Sequence, residues 1–192
     1  MIKTENFPQV QVASQEELRQ WLTENHAQEE SVWLVTFKKE DKEKYLSTSQ
    51  VLDELLCFGW IDGIRRKLDE TRTMQLISPR KTQHWTRTYK DRAQKLIDKK
   101  LMEPAGYASI KAGKQSGLWH FMDDVDALLI PKDLEAALND KPTAFEFFVN
   151  INPSSKRFVL RWLKLSKTEK TRLKRIDQLV TLSAKGEKLK GS

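Results

Sequence analysis

The residues best suited to chemistry lie between Trp60 and Trp85. Trp60-Ile61-Asp62-Gly63 puts a carboxylate and a glycine just after a helical stretch, and Ser78-Pro79-Arg80-Lys81 precedes His84-Trp85. A carboxylate, a guanidinium and two indoles converging on one cleft would bind an anionic or flat ligand. Gly63 would permit a backbone angle closed to other residues. The candidate ligand- or partner-binding set is therefore Trp60, Asp62, Gly63, Arg80, Lys81 and Trp85. A competing reading makes Asp62 and Arg80 an ion pair that locks a turn, with both indoles in the core, where aromatic residues are found more often than on ligand platforms.

Other chemistry finds little support. His26, His84 and His120 form no His-x-x-x-His or Glu-x-x-His pair. Asp123, Asp124 and Asp126 lack the glycine turn and terminal Glu of a calcium loop, so an acidic surface linker is the better reading and no metal is expected. Neither glycine-rich phosphate cradle occurs, and no cofactor is expected. Cys57, between Leu56 and Phe58, reads as a small core hydrophobe. Ser78 stands outside any Gly-x-Ser-x-Gly elbow. No catalytic residue is assigned, and Asp62 as a general base is the enzymatic alternative.

These residues need a scaffold, and the sequence specifies one. Ser14-Gln15-Glu16-Glu17 is a capping box opening a helix over 15–26. Ser31 to Phe37 is β-branched and aromatic, a largely buried strand. Lys38 to Lys44 reads as an exposed loop, and Ser47-Thr48-Ser49-Gln50 introduces a helix over 49–58 that Gly59 ends. Trp60 to Leu68 and Thr71 to Ile77 form a hairpin turning at Asp69-Glu70, closed by Ser78-Pro79. Trp85, Tyr89, Ala93, Leu96 and Ile97 share one face of the next helix. Pro104 opens another that ends at Gly117. After an acidic connector over 118–130, four helices follow, introduced by Pro131, Pro142, Asn152-Pro153 and Thr168. Phe148, Phe158, Trp162 and Leu179 are expected to be buried together there. The fold class is α+β: a small antiparallel sheet of about three strands with packed helices over 1–120, then a helical module over 121–192.

Composition narrows the classes further. Six Trp, eight Phe and three Tyr in 192 residues, 39% of them hydrophobic, exclude a disordered tail. No apolar run approaches the roughly 20 residues that span a bilayer. Met1 to Glu5 carry no apolar leader region, and one cysteine permits no internal disulfide. A soluble, cytoplasmic protein is expected. Charge alternates in blocks: net −6 over 1–64, +9 over 65–114, −5 over 115–152 and +9 over 153–192. Such blocks solvate helix faces, attract one another within the molecule, or steer an anionic partner.

Three stretches carry a resemblance: Leu56 to Gly63, Ser78-Pro79-Arg80-Lys81 with Trp85, and Met102-Glu103-Pro104-Ala105-Gly106. With Pro131 to Leu138, Phe147-Phe148, Asn152 to Arg157, Arg161-Trp162 and Lys170 to Ile176, they resemble the bacterial YdeI/OmpD-associated (bacteriocin-protection, OmdA-like) family over nearly the whole chain. The chain departs from that pattern at Ile77, Thr86 and Tyr89. The resemblance implies an association with envelope stress and resistance to bacteriocins or cationic peptides, with no established reaction. The expected function is thus a cytoplasmic, stress-associated protein that binds an unidentified protein or small anionic ligand. A second reading is non-specific nucleic-acid binding through the basic segments 65–114 and 169–185, although no helix-turn-helix, RNP or zinc-finger pattern is present.

Overall fold

The computed structural model describes residues 6–191. The reading of Met1 to Glu5 as lacking a leader falls outside the described residues. The chain divides into two compact units, one through His120 and one from Phe121.

In the first unit, three elements follow one another as β1 (Gln9–Gln11), α1 (Gln15–Asn25) and β2 (Val32–Phe37). Next come α2 (Thr48–Cys57), β3 (Trp60–Lys67), β4 (Arg72–Pro79), α3 (Arg87–Asp98) and α4 (Pro104–Gln115). The sheet has four strands in the order β1-β2-β4-β3. The three long strands pair antiparallel, with Val32 opposite Ile77 and Trp60 opposite Pro79. The expectation of about three strands, all antiparallel, needs one correction: β1 adds an edge strand parallel to β2. Its three residues hold a single apolar side chain, too short a run for alternation to show. Parallel pairing demands a crossover, and α1 is that crossover.

Capping follows the sequence closely. Ser14 Oγ accepts from the Glu17 amide at the start of α1, and Ser47 with Gln50 forms a reciprocal capping box on α2. Gly59 ends α2 with φ +72°, and a Cβ there would lie 2.8 Å from the Ala105 carbonyl oxygen. The third helix begins at Arg87 rather than at Trp85, because Thr86 is extended (φ −85°, ψ 161°). Leu18, Leu22, Leu34, Val51, Leu55, Trp60, Ile77 and Trp85 pack in one core between helices and sheet. Cys57 lies in that core at 0% exposure. Burial, reinforced by the nearby Glu54 carboxylate, pushes its thiol up to about 11.

The second unit contains α5 (Asp123–Asp126), α6 (Lys132–Asn139), α7 (Pro142–Asn150), α8 (Pro153–Lys164) and α9 (Glu169–Ala184). The stretch 118–130 is more than an acidic linker: it holds one helical turn, with Met122 and Val125 in the core of this unit. Phe148 and Leu179 are buried as expected, whereas Phe158 is 42% exposed and Trp162 only packs at the margin. The buried stripe of α8 is Ser155, Val159, Leu160 and Leu163. That stripe keeps helical period with the small Ser155 facing in, so Phe158, one position off it, is turned outward.

Two outcomes test this packing. Phe148→Ala should cost about 3–5 kcal/mol in denaturant unfolding, as for a fully enclosed ring, while Phe158→Ala should cost under about 1 kcal/mol. Cys57 should react with a disulfide reagent at neutral pH only at the rate of unfolding, because little thiolate forms and the sulfur is enclosed. A burst of labelling in native buffer would contradict the placement.

Candidate functional site

The site is assembled where α2 hands over to β3. Gly59 makes the turn, its carbonyl accepting from the Arg80 amide at 2.9 Å, so the beginning of β3 and the end of β4 are tied together. The Glu103 amide donates to the Cys57 carbonyl at 3.2 Å. A Cβ on Gly106 would lie 2.4 Å from that carbonyl oxygen. The start of α4 therefore rests backbone-to-backbone on the turn. Further along α4, Gly113 leaves room for the Trp85 indole, since a Cβ there would stand 2.5 Å from Nε1.

Around this frame the expected residues separate into two groups. Arg80 and Trp85 come together: the guanidinium carbon lies 4.2 Å from the centroid of the Trp85 ring. Asp62 joins them indirectly. Its Oδ1 accepts from the Tyr89 hydroxyl at 2.5 Å and its Oδ2 from Gln75 Nε2 at 3.3 Å, while the Tyr89 ring lies 4.9 Å beneath the Arg80 guanidinium. The expected Asp62–Arg80 ion pair does not form among the described residues; Tyr89 stands between them. Register explains this, for Asp62 pairs with Ile77, well before Arg80 on the other strand.

The other expected residues lie elsewhere. Trp60 is a core residue at 0% exposure, edge-on to Trp21 at 5.6 Å, with its indole N–H donating to the His26 carbonyl at 3.0 Å. Lys81 is exposed and pairs with Glu29 at 3.3 Å, a surface contact of small energetic weight. Gly63 has no left-handed φ among the described residues, contrary to expectation. Its lack of a side chain serves the irregularity between Asp62 and Arg65, where a Cβ would meet the Leu76 carbonyl oxygen at 3.2 Å.

Electrostatics single out Arg80. Burial lowers its pKa to about 10, against the opposing pull of Tyr89 and Asp62, so it remains a cation at neutral pH. Nη1 reaches the Gln83 and His84 carbonyls at 3.4 Å each, long contacts. Nε and Nη2 are buried and without a partner, as is Gln75 Oε1. Tyr89 is pushed up, first by burial and then by its bond to Asp62, and stays protonated as the donor. Beyond Trp85 the aromatic layer continues to Trp119 at 4.9 Å, flanked by Lys114 at 5.1 Å and Lys90 at 5.5 Å from that ring. Sequence reasoning placed Tyr89 only as a core face and passed over Gln75. The sequence alternation points the other way, placing Gln75 in phase with Thr71 and Thr73 and opposite Met74 and Leu76, whereas the structure buries Gln75 to 6% exposure; the one signal was Ile77, an apolar residue in the phase of Gln75.

Two family models match the chain. Residues 10–109, which contain Asp62, Gln75, Arg80, Trp85 and Tyr89, match a domain of unknown function, DUF8412. Residues 127–186 match the bacteriocin-protection, YdeI or OmpD-associated family. The resemblance read from the sequence over nearly the whole chain is thus matched in the C-terminal unit, and a different model accounts for the first. No curated protein and no solved structure matches. With just over half of its length under the first model, the chain belongs to the DUF8412 family, and residues 127–186 of its second unit are similar to the bacteriocin-protection, YdeI or OmpD-associated family.

Proposed function

We propose that this protein is a cytoplasmic, stress-associated binding protein that contributes to bacteriocin or cationic-peptide resistance by recognising a small anionic group, free or carried by a protein partner, at Arg80. One observation carries the reading: Arg80 Nε and Nη2 are buried and unpartnered. Those two N–H groups form the edge of a guanidinium that grips a carboxylate or phosphate through two parallel bonds. Trp85 and Tyr89 hold the planar group through their ring faces and make no hydrogen bond to that edge. Lys90 and Lys114 around Trp119 add positive potential to the same aromatic layer. Nε and Nη2 have almost no solvent contact, so entry of a ligand requires local displacement of the groups that enclose them. Asp62 spends its oxygens on Tyr89 and Gln75, which supports a role in holding the site over proton abstraction.

The energetic consequence distinguishes a site from a scaffold. A buried cation with unmade bonds costs stability in the unliganded protein. Arg80→Met keeps the length and packing of the side chain while removing charge and donors. It should raise stability by roughly 1 kcal/mol in chemical denaturation and abolish the binding of phosphate or citrate that calorimetry is expected to show with the unaltered chain. A drop in melting temperature would make Arg80 structural, and retained binding would remove it from the site. Tyr89→Phe, in contrast, should lower stability by about 1 kcal/mol through the lost bond to Asp62, with anion affinity little changed because the ring under Arg80 remains.

A further inference from the structure

The second unit carries a groove that the Arg80 reading does not use. It encloses about 390 Å³ between α8 and α9 and is lined by Trp162, Lys170, Thr171, Lys174, Arg175 and Gln178. No carboxylate lines it. Arg175 is fixed in place, its guanidinium 4.7 Å from the Trp162 centroid and its Nη1 bonded to the Trp162 carbonyl and, at 3.3 Å, to Ser166 Oγ. These partners are neutral, and Arg175 makes no ion pair among the described residues. Lys170, Lys174 and Gln178 follow at intervals of four along one ridge of α9, each about 6 Å further along the axis. The hollow of similar size on the first unit differs in kind: Asp53 and Asp91 line it, and Arg92 is already paired with Asp53 at 2.5 Å.

We infer that the α8–α9 groove binds single-stranded nucleic acid, with backbone phosphates on Lys170, Lys174 and Arg175 and an unstacked base against the half-buried Trp162 indole. Three cations without a lining acid match a phosphate chain, and an indole beside them is the platform on which single strands stack without sequence preference. Thr171 and Gln178 offer a hydroxyl and an amide to a base edge or sugar. A strand fits better than a lone nucleotide because the positive field continues outside the recess, with 12 Lys+Arg against three acids over 153–192. A duplex does not expose base faces to such a platform. A bilayer surface calls for a protruding apolar face, whereas this aromatic is recessed.

Fluorescence anisotropy of the full chain with labelled oligo(dT) and oligo(U) of about 12 nucleotides tests the inference. Saturable binding should weaken with salt at a log–log slope of about −2, the value for three phosphate contacts on a single strand. Lys170→Glu with Lys174→Glu, both exposed, should weaken binding at least about tenfold and leave the thermal melt unchanged. Lys132→Glu with Lys141→Glu changes net charge equally on exposed positions of the same unit and should have an effect under about twofold. Four results overturn the inference. They are no saturable binding at low salt, equal loss in both double variants, competition by uridine monophosphate as strong as by the oligomer, or preference for phosphatidylglycerol vesicles over the strand. An Arg80→Met protein should bind the oligomer normally, so failure here and failure at Arg80 are separate outcomes.

Discussion

The first unit depends on a backbone contact made possible by two absent side chains. Gly59 and Gly106 let the start of α4 sit directly on the turn between α2 and β3, with Cβ clearances of 2.8 Å or less to the facing carbonyl oxygens. Neither neighbour can move aside, because both are main chain. Gly59 also needs its positive φ to redirect the chain from helix into strand. From this junction the rest follows: Trp60 enters the core, Arg80 is tied to the Gly59 carbonyl, and α4 is laid down so that Gly113 receives the Trp85 indole. The residues that look most chemical in the sequence are held by residues with no chemistry of their own.

Charge has a similar dual use. The alternating blocks resolve in part into ion pairs within each unit. Asp53 of the first acidic block meets Arg92 of the first basic block at 2.5 Å, and Asp133 and Asp124 of the second acidic block meet Arg172 and Lys164 of the second basic block, both at 2.5 Å. Arg19 joins three partners at once. It bonds Glu54, which is 2% exposed, and also Glu103 and the Leu101 carbonyl, tying α1 to α2 and to the approach of α4. A buried carboxylate is tolerable only with such partners; Gln15 supplies a further one at 2.6 Å. Against that background Arg80 stands apart among the described cations, as one whose buried donors lack partners.

How far the sequence reveals all this depends on which physical signal each feature leaves. Helices with polar caps and a steady period were legible nearly to the residue, as at Ser47, Asn152 and Thr168, whose side chains all accept from the first turn. The strand β1 was not, because three residues paired at an edge leave no period. Phe158 is expected inward because a helix face drawn through the large apolar residues includes it, but such a face leaves out the small Ser155 that fixes which way α8 turns. In the site, the hairpin correctly brought Asp62 and Arg80 to one end, but contact depends on side-chain reach and on α3, which strand pairing does not encode. Tyr89, read from the sequence only as part of a core-facing helix side, is the residue that links the two.

That linkage bears on why a cation would be kept buried without its full set of bonds. A direct Asp62–Arg80 pair would satisfy the guanidinium and close the site to any other anion. With Tyr89 between them, the carboxylate accepts from a neutral hydroxyl, and the phenol ring faces the cation with its electron-rich side. Asp62 still favours the charged form of Arg80 through space, while leaving Nε and Nη2 unclaimed. The ring contacts recover part of the desolvation cost but make none of the missing hydrogen bonds. On the proposed anion-binding reading, this arrangement keeps available a guanidinium edge that a closed ion pair would consume, a difference that exists only because one phenol occupies the space between two charges.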